Sequence, residues 1–173
     1  MHTPIVNTRR LATCGLLIAV SVVLGGMLKI PLNLFGVYSL KLSFSMIPIF
    51  IAAVKYGPVY GGICGGAADF IQAILFPLGA YNPLFTLTGI VLGMVPGLFF
   101  AHGEEPTFKR LACAITTGQI IGSVLLNTTF QVISYGLPWA IIGPRALNQA
   151  IFIPIYTVIT YILVQKIPNL RLR

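Results

Sequence analysis

Asp69 is the only acidic residue inside a hydrophobic segment of this chain, and it sits in YGPVYGGICGGAADFIQAILFPLGAYNPLFTLTG, residues 56 to 89. An ionised carboxylate in hydrocarbon is expensive, so it should face a protein interior or an aqueous cavity and meet a partner there. Two chemistries fit: an acceptor in a ligand pocket, or a carboxylate tied up by a nearby helix dipole or hydroxyl. Other polar side chains interrupt the apolar runs in a pattern. Gln72 follows Asp69 by three residues, Thr86 and Thr88 open the next run, and Gln119, Ser123, Asn127 and Gln131 recur at intervals of four. That interval puts the last four on one helix face, which should look into a bundle as pocket wall or as interhelical hydrogen-bonding groups. Arg145, Asn148 and Gln149 open the last run, with Phe152 and Tyr156 continuing roughly the same face.

Together these groups favour a flat, heteroaromatic ligand that also carries anionic charge. Asp69 can accept two parallel hydrogen bonds from an amidine-like edge. Phe85, Tyr81, Tyr135 and Trp139 can stack on rings. Arg145 suits a carboxylate held bidentately, or else pairs directly with Asp69.

Catalysis is a poorer fit. His2 and His102 fall in a terminus and a loop, so no acid/base pair or metal triad can be assembled, and His102, Glu104 and Glu105 read as a solvated turn. The Gly-rich run before Asp69 lacks the Lys-Ser/Thr signature of a phosphate loop, and no cofactor is called for. Cys14, Cys64 and Cys113 lie in apolar stretches at no metal-like spacing and read as small buried hydrophobes.

The elements that must position these groups follow from composition. Of 173 residues, 57% are hydrophobic and 8% charged, far from the roughly one quarter charged of soluble domains. With mean hydropathy at +0.93, the chain reads as an all-α integral membrane protein. At about 20 residues per crossing, its length allows about six helices as a single membrane domain and no nucleotide-binding domain. The expected spans are roughly 11–28, 39–54, 58–76, 83–101, 111–135 and 144–164, with kinks at Pro48 and Pro96. The first run lacks a small-residue cleavage site and reads as a retained span. The 29–38 stretch, KIPLNLFGVY, reads as a loop long enough to fold over a pocket.

The net charge of +8 does not indicate nucleic acid, because the basic residues sit at the ends of apolar runs. With six spans and the N-terminus inside, eight of the eleven basic residues fall on the inner side and only Lys29, Lys41 and Arg145 outside. That bias predicts both termini in the cytoplasm, and hence the polar cluster in the outer leaflet. Ala12, Gly15 and Ala19 in the first span, and Gly61, Gly62, Gly65 and Gly66 in the third, give small faces for close helix approach.

The stretches KLSFSMIPIFIAAVKYGPVYGGICGGAADFIQAILFPLGAYNPLFTLTG and SVLLNTTFQVISYGLPWAIIGPRALNQAIFIPI resemble the substrate-binding S components of energy-coupling factor (ECF) vitamin transporters, and most closely the folate-type subunit. The most specific elements are the YGP turn, the Asp69 span ending in LFP, NPLFTLTG and PRALNQ, and GLLIA at 15–19 looks like the family's small-xxx-small motif. The resemblance implies a six-helix plasma-membrane protein that captures a vitamin outside. It also implies docking, through the first three helices, onto a membrane coupling subunit (T component) that carries two ABC-type ATPases. The implied ligand is folate or a related pterin, with riboflavin, thiamine or a queuosine precursor as alternatives on the same fold. A packing or regulatory membrane protein is the competing class. The residues expected at the ligand are Asp69, Gln72, Phe85, Thr88, Asn127, Gln131, Trp139, Arg145 and Asn148, and those expected at the partner are Ala12, Gly15 and Ala19.

Overall fold

Six helices and one short strand pair make up the fold of the computed structural model, which describes residues 8–27, 30–32, 40–42, 44–77, 81–101 and 103–166. In chain order they are α1 (Thr8–Met27), β1 (Ile30–Leu32), β2 (Leu40–Leu42), α2 (Met46–Tyr56), α3 (Pro58–Leu75), α4 (Pro83–Leu98), α5 (Phe108–Tyr135) and α6 (Trp139–Lys166). By length and composition α1, α5 and α6 can each cross a membrane, while α2 and α4 are shorter apolar helices. Many large apolar side chains face outward, among them Leu16, Val23, Ile63, Ile74, Leu125, Ile151 and Ile162. Such a surface suits hydrocarbon.

The second expected span is corrected. Residues 40–42 pair antiparallel with residues 30–32, Ile30 opposite Leu42 and Leu32 opposite Leu40, and the helix starts only at Met46. Its 11 residues cover about 16 Å, half of a hydrocarbon core. Every residue from Ile47 to Val54 is buried, as expected of a helix that is apolar all round. Here α2 is a core strut enclosed by its neighbours. Pro48 therefore lies in the first turn, where a missing N–H breaks no intrahelical bond, and no kink is required. Of the loop expected at 29–38, residues 30–32 form β1, and the remainder lies outside the described residues.

One residue joins α2 to α3. Gly57 has φ 84°, a conformation that favours glycine, and Pro58 starts the next helix. Helix α3 then lies against α4 backbone to backbone. A Cβ built on Gly65 would overlap the carbonyl of Gly89, and one on Gly93 would overlap the carbonyl of Gly61. The small face expected on α3 thus meets a matching one on α4. Pro96 falls in the last turn of α4, buried, with its ring packed where Gly118 of α5 has no side chain.

Helix α5 changes register along its length. It is α-helical over Phe108–Gly118, π-helical over Gln119–Leu126 and α-helical again over Asn127–Tyr135. In an α-helix, residues four apart drift by about 40° per step, so Gln119 and Gln131 would diverge by about 120°. A π turn holds more residues and reduces that drift. The strict interval of four is matched to the wider turn. Of the cysteines, Cys14 and Cys64 are buried beside Ala52, whereas Cys113 is exposed on α5, contrary to the expectation of burial.

Candidate ligand-binding site

A cavity of about 470 Å³ lies among α2 to α6, toward the end where α3 stops and α4 begins. That size falls within the usual range for small-molecule sites. Of the residues expected at a ligand, Asp69, Gln72, Phe85, Thr88, Asn127 and Gln131 line it together. Three others do not. Trp139 is 57% exposed on the short turn that opens α6, Asn148 is buried away from the lining, and Arg145 is buried behind the wall at 5% exposure.

The acceptor wall is built by α3 and α4. Asp69 is half-buried and its Oδ2 accepts a hydrogen bond from Thr86 Oγ1 at 3.0 Å, while the Tyr81 hydroxyl lies 3.0 Å from the same Thr86 oxygen. Asn82 caps α4 by accepting from Leu84 N at 3.0 Å, and its Nδ2 donates to Ser134 Oγ of α5 at 2.8 Å. The two amide ends thereby hold the start of α4 against the end of α5. Phe85 and Tyr135 stack across that junction, rings 12° from parallel and 6.0 Å apart. A second anchor fixes Gln72, whose Nε2 donates to Ser45 Oγ at 3.1 Å, with Ser21 Oγ donating to the Ser45 carbonyl at 2.7 Å. Gly25 of α1 makes this possible, since a Cβ there would overlap the Gln72 amide.

The opposite wall is the α5 stripe. Gln119, Ser123, Asn127 and Gln131 all line the cavity, and two of them also bond α6. Gln149 Nε2 donates to Ser123 Oγ at 2.6 Å, and Arg145 Nη2 donates to Gln131 Oε1 at 2.9 Å. The stripe is therefore both pocket wall and interhelical bonding. Gln149 Oε1 is buried on this wall with no hydrogen-bond partner among the described residues.

The lining also includes Ser45, Gln119, Ser123, Tyr135, Gln149 and Tyr156, which the sequence-derived ligand set omits. The interval of four was the signal for Gln119 and Ser123. Ser45 gave none, because the turn that carries it was read as helix. The cavity thus combines a carboxylate and hydroxyls on α3 and α4, amides on α5 and stacked aromatic rings at one end, the mix of apolar wall and few convergent polar groups usual in small-molecule sites.

This fold and site are those of a substrate-binding membrane subunit. The family profile of the ECF transporter substrate-specific component matches residues 9–164, and the chain belongs to that family. It is a transporter component and not an enzyme. Among curated relatives, the folate transporter FolT of Clostridium novyi (strain NT) is 28% identical over 70% of this chain and 71% of its own length. The folate transporter FolT of Leuconostoc mesenteroides subsp. mesenteroides is 25% identical over 94% of this chain and 88% of its own. Among solved structures, a crystal structure of FolT bound with folic acid superposes with a TM-score of 0.78 at 32% identity, covering 94% of this chain and 95% of that one. The S component of a bacterial ECF transporter shares the fold at a TM-score of 0.70 and 23% identity, over 94% and 96% of the two chains.

Proposed function

We propose that this chain is the folate-binding S component of an ATP-driven ECF importer in the plasma membrane, with both termini cytoplasmic and the cavity loading from outside. The observation that carries the ligand class is Asp69 on the cavity wall, held by Thr86 and facing a space edged by amides and closed by the Phe85–Tyr135 stack. A carboxylate there matches the two-donor edge of a pterin. Similarity to FolT supports folate among the pterins. The ligand contacts of this reading are Asp69, Gln72, Phe85, Thr88, Asn127 and Gln131.

The energy source lies outside this chain. Ala12, Gly15 and Ala19 are exposed on α1, and a Cβ added to Gly15 meets nothing within 4 Å. A small, unoccupied face of that kind supports docking onto a membrane coupling subunit with its two ATPases, because small residues allow a close contact that can still separate.

The test is calorimetric titration of the purified chain in detergent with folate, riboflavin and thiamine in parallel. Saturable heat with folate alone is the expected result. Saturation by riboflavin or thiamine instead, or by none of the three, overturns the ligand assignment. Accumulation of folate in vesicles by this chain without ATPases overturns the importer assignment.

A further inference from the structure

We propose that Arg145 is a positioning residue that fixes the hydrogen-bond polarity of the α5 wall, so that Asn127 offers donors to the ligand opposite the Asp69 acceptor. The inference rests on the pterin reading of the cavity and adds a specificity device to it.

The orientation follows from donor inventory alone. A guanidinium has no acceptor, so the Gln131 amide must turn its oxygen toward Arg145, as the 2.9 Å contact from Nη2 records. That leaves the Gln131 nitrogen toward Asn127, whose oxygen it meets at 3.0 Å. Asn127 then has amide N–H groups to offer, and it lines the cavity. A buried cation thus orients two amides in series. Without it, both amides can flip together at little cost, and the wall loses its sign.

Arg145 also contacts α5 where its register changes. An α-helical ladder would send the Asn127 N–H to the Ser123 carbonyl, but it bonds Gly122 O, five residues back. Arg145 Nη1 reaches the Ser123 carbonyl at 3.4 Å. One side chain therefore reaches both a carbonyl at the register change of α5 and the first amide of the chain of three. Burial at 5% exposure, off the cavity lining, keeps it from acting as a direct anion clamp.

The experiment compares wild type, Arg145→Gln and Gln131→Glu, each titrated with folate and with a carboxylate-free pterin. Gln131→Glu retains a partner for Arg145 but presents only acceptors to Asn127, which must flip and show its oxygen to the cavity. Both variants are expected to weaken both compounds by a similar factor, roughly tenfold to a hundredfold, the scale of one buried bond opposed. Gln131→Glu should do so with a thermal midpoint at or above wild type, which a loss of packing would not produce, and the matching factor in Arg145→Gln, a residue off the lining, separates this from loss of a direct Gln131 contact. Loss of folate affinity with pterin affinity retained makes Arg145 a direct carboxylate ligand and overturns the proposal, as does unchanged affinity in Gln131→Glu. Wild type that binds neither compound refutes the pterin reading separately. Hydrogen exchange of the ligand-free proteins then decides the positioning role: Arg145→Gln should speed exchange across 119–131 and spare α3 and α4, and no change there overturns it.

Discussion

Thr86 gives its single hydroxyl proton to Asp69 at 3.0 Å, so the Tyr81 hydroxyl 3.0 Å away must be the donor in its own contact with Thr86. The order Tyr81 to Thr86 to Asp69 is a directed relay that holds the carboxylate from the rim of the cavity. Asp69→Asn keeps the size and removes the charge-assisted acceptor. It is expected to lower folate affinity by about tenfold or more, since bonds to charged groups are worth about 1.5–3 kcal/mol. Calorimetry alongside a melting curve checks this; unchanged affinity in a folded variant removes Asp69 from the site.

Trp139 is off the cavity lining. Trp139→Phe should leave folate affinity within about twofold of wild type, in line with the small effects of surface substitutions away from special features. A Trp placed at Phe85, against Tyr135, should respond to ligand far more strongly than Trp139 does. Strong saturable quenching of Trp139 in the wild type would return it to the site.

Gly65→Ala sets a methyl into the carbonyl of Gly89. Overpacking of this kind costs about 1–3 kcal/mol, and the thermal midpoint in detergent should fall. Gly15→Ala is the matched control, because that position opens onto empty space in mid-helix, and its midpoint should stay or rise and not fall.

Gly15→Leu separates binding from transport. Folate affinity and melting should match wild type, while uptake in cells or vesicles holding the coupling subunit and ATPases should fall severely. Wild-type uptake would place the docking face elsewhere.

Asn82 couples helix capping to the site. Asn82→Ala removes the cap on α4 and the bond to Ser134, at about 0.5–2 kcal/mol for the cap alone. Folate binding should weaken with it, because Phe85 and Thr86 lie in the turn the cap begins. A melting midpoint and affinity equal to wild type would show that Asn82 holds neither.

The helical bundle was legible in the apolar runs, because lipid exposure and burial both demand the same residues. That is also why α2 was misread. Ile47 to Val54 have the composition of a span whether they face lipid or are enclosed, and the alternating Leu40, Leu42 and Phe44 ahead of them read as its first turns despite Lys41, Ser43 and Ser45. Asp69 and Gln131 were legible as residues facing an interior cavity, since a polar group in an apolar run needs a reason. Arg145 was legible as a polar group within the bundle and not as to its partner, because Gln131 lies 14 residues away and only packing decides which oxygen it reaches. The π-helical stretch left one trace, the interval of four, and that trace reads equally well as ordinary helix.

Helices that touch through their main chains have no rotamers to rearrange. With Gly61 and Gly65 seated on Gly93 and Gly89, α3 and α4 have a single way to fit and should travel as one plate. Asp69, Phe85, Thr86 and Thr88 all ride on that plate, so their mutual spacing is expected to stay set when a ligand enters. Changes in the width of the cavity then belong to the facing side, to α5 with its shifted ladder and to α6 behind it.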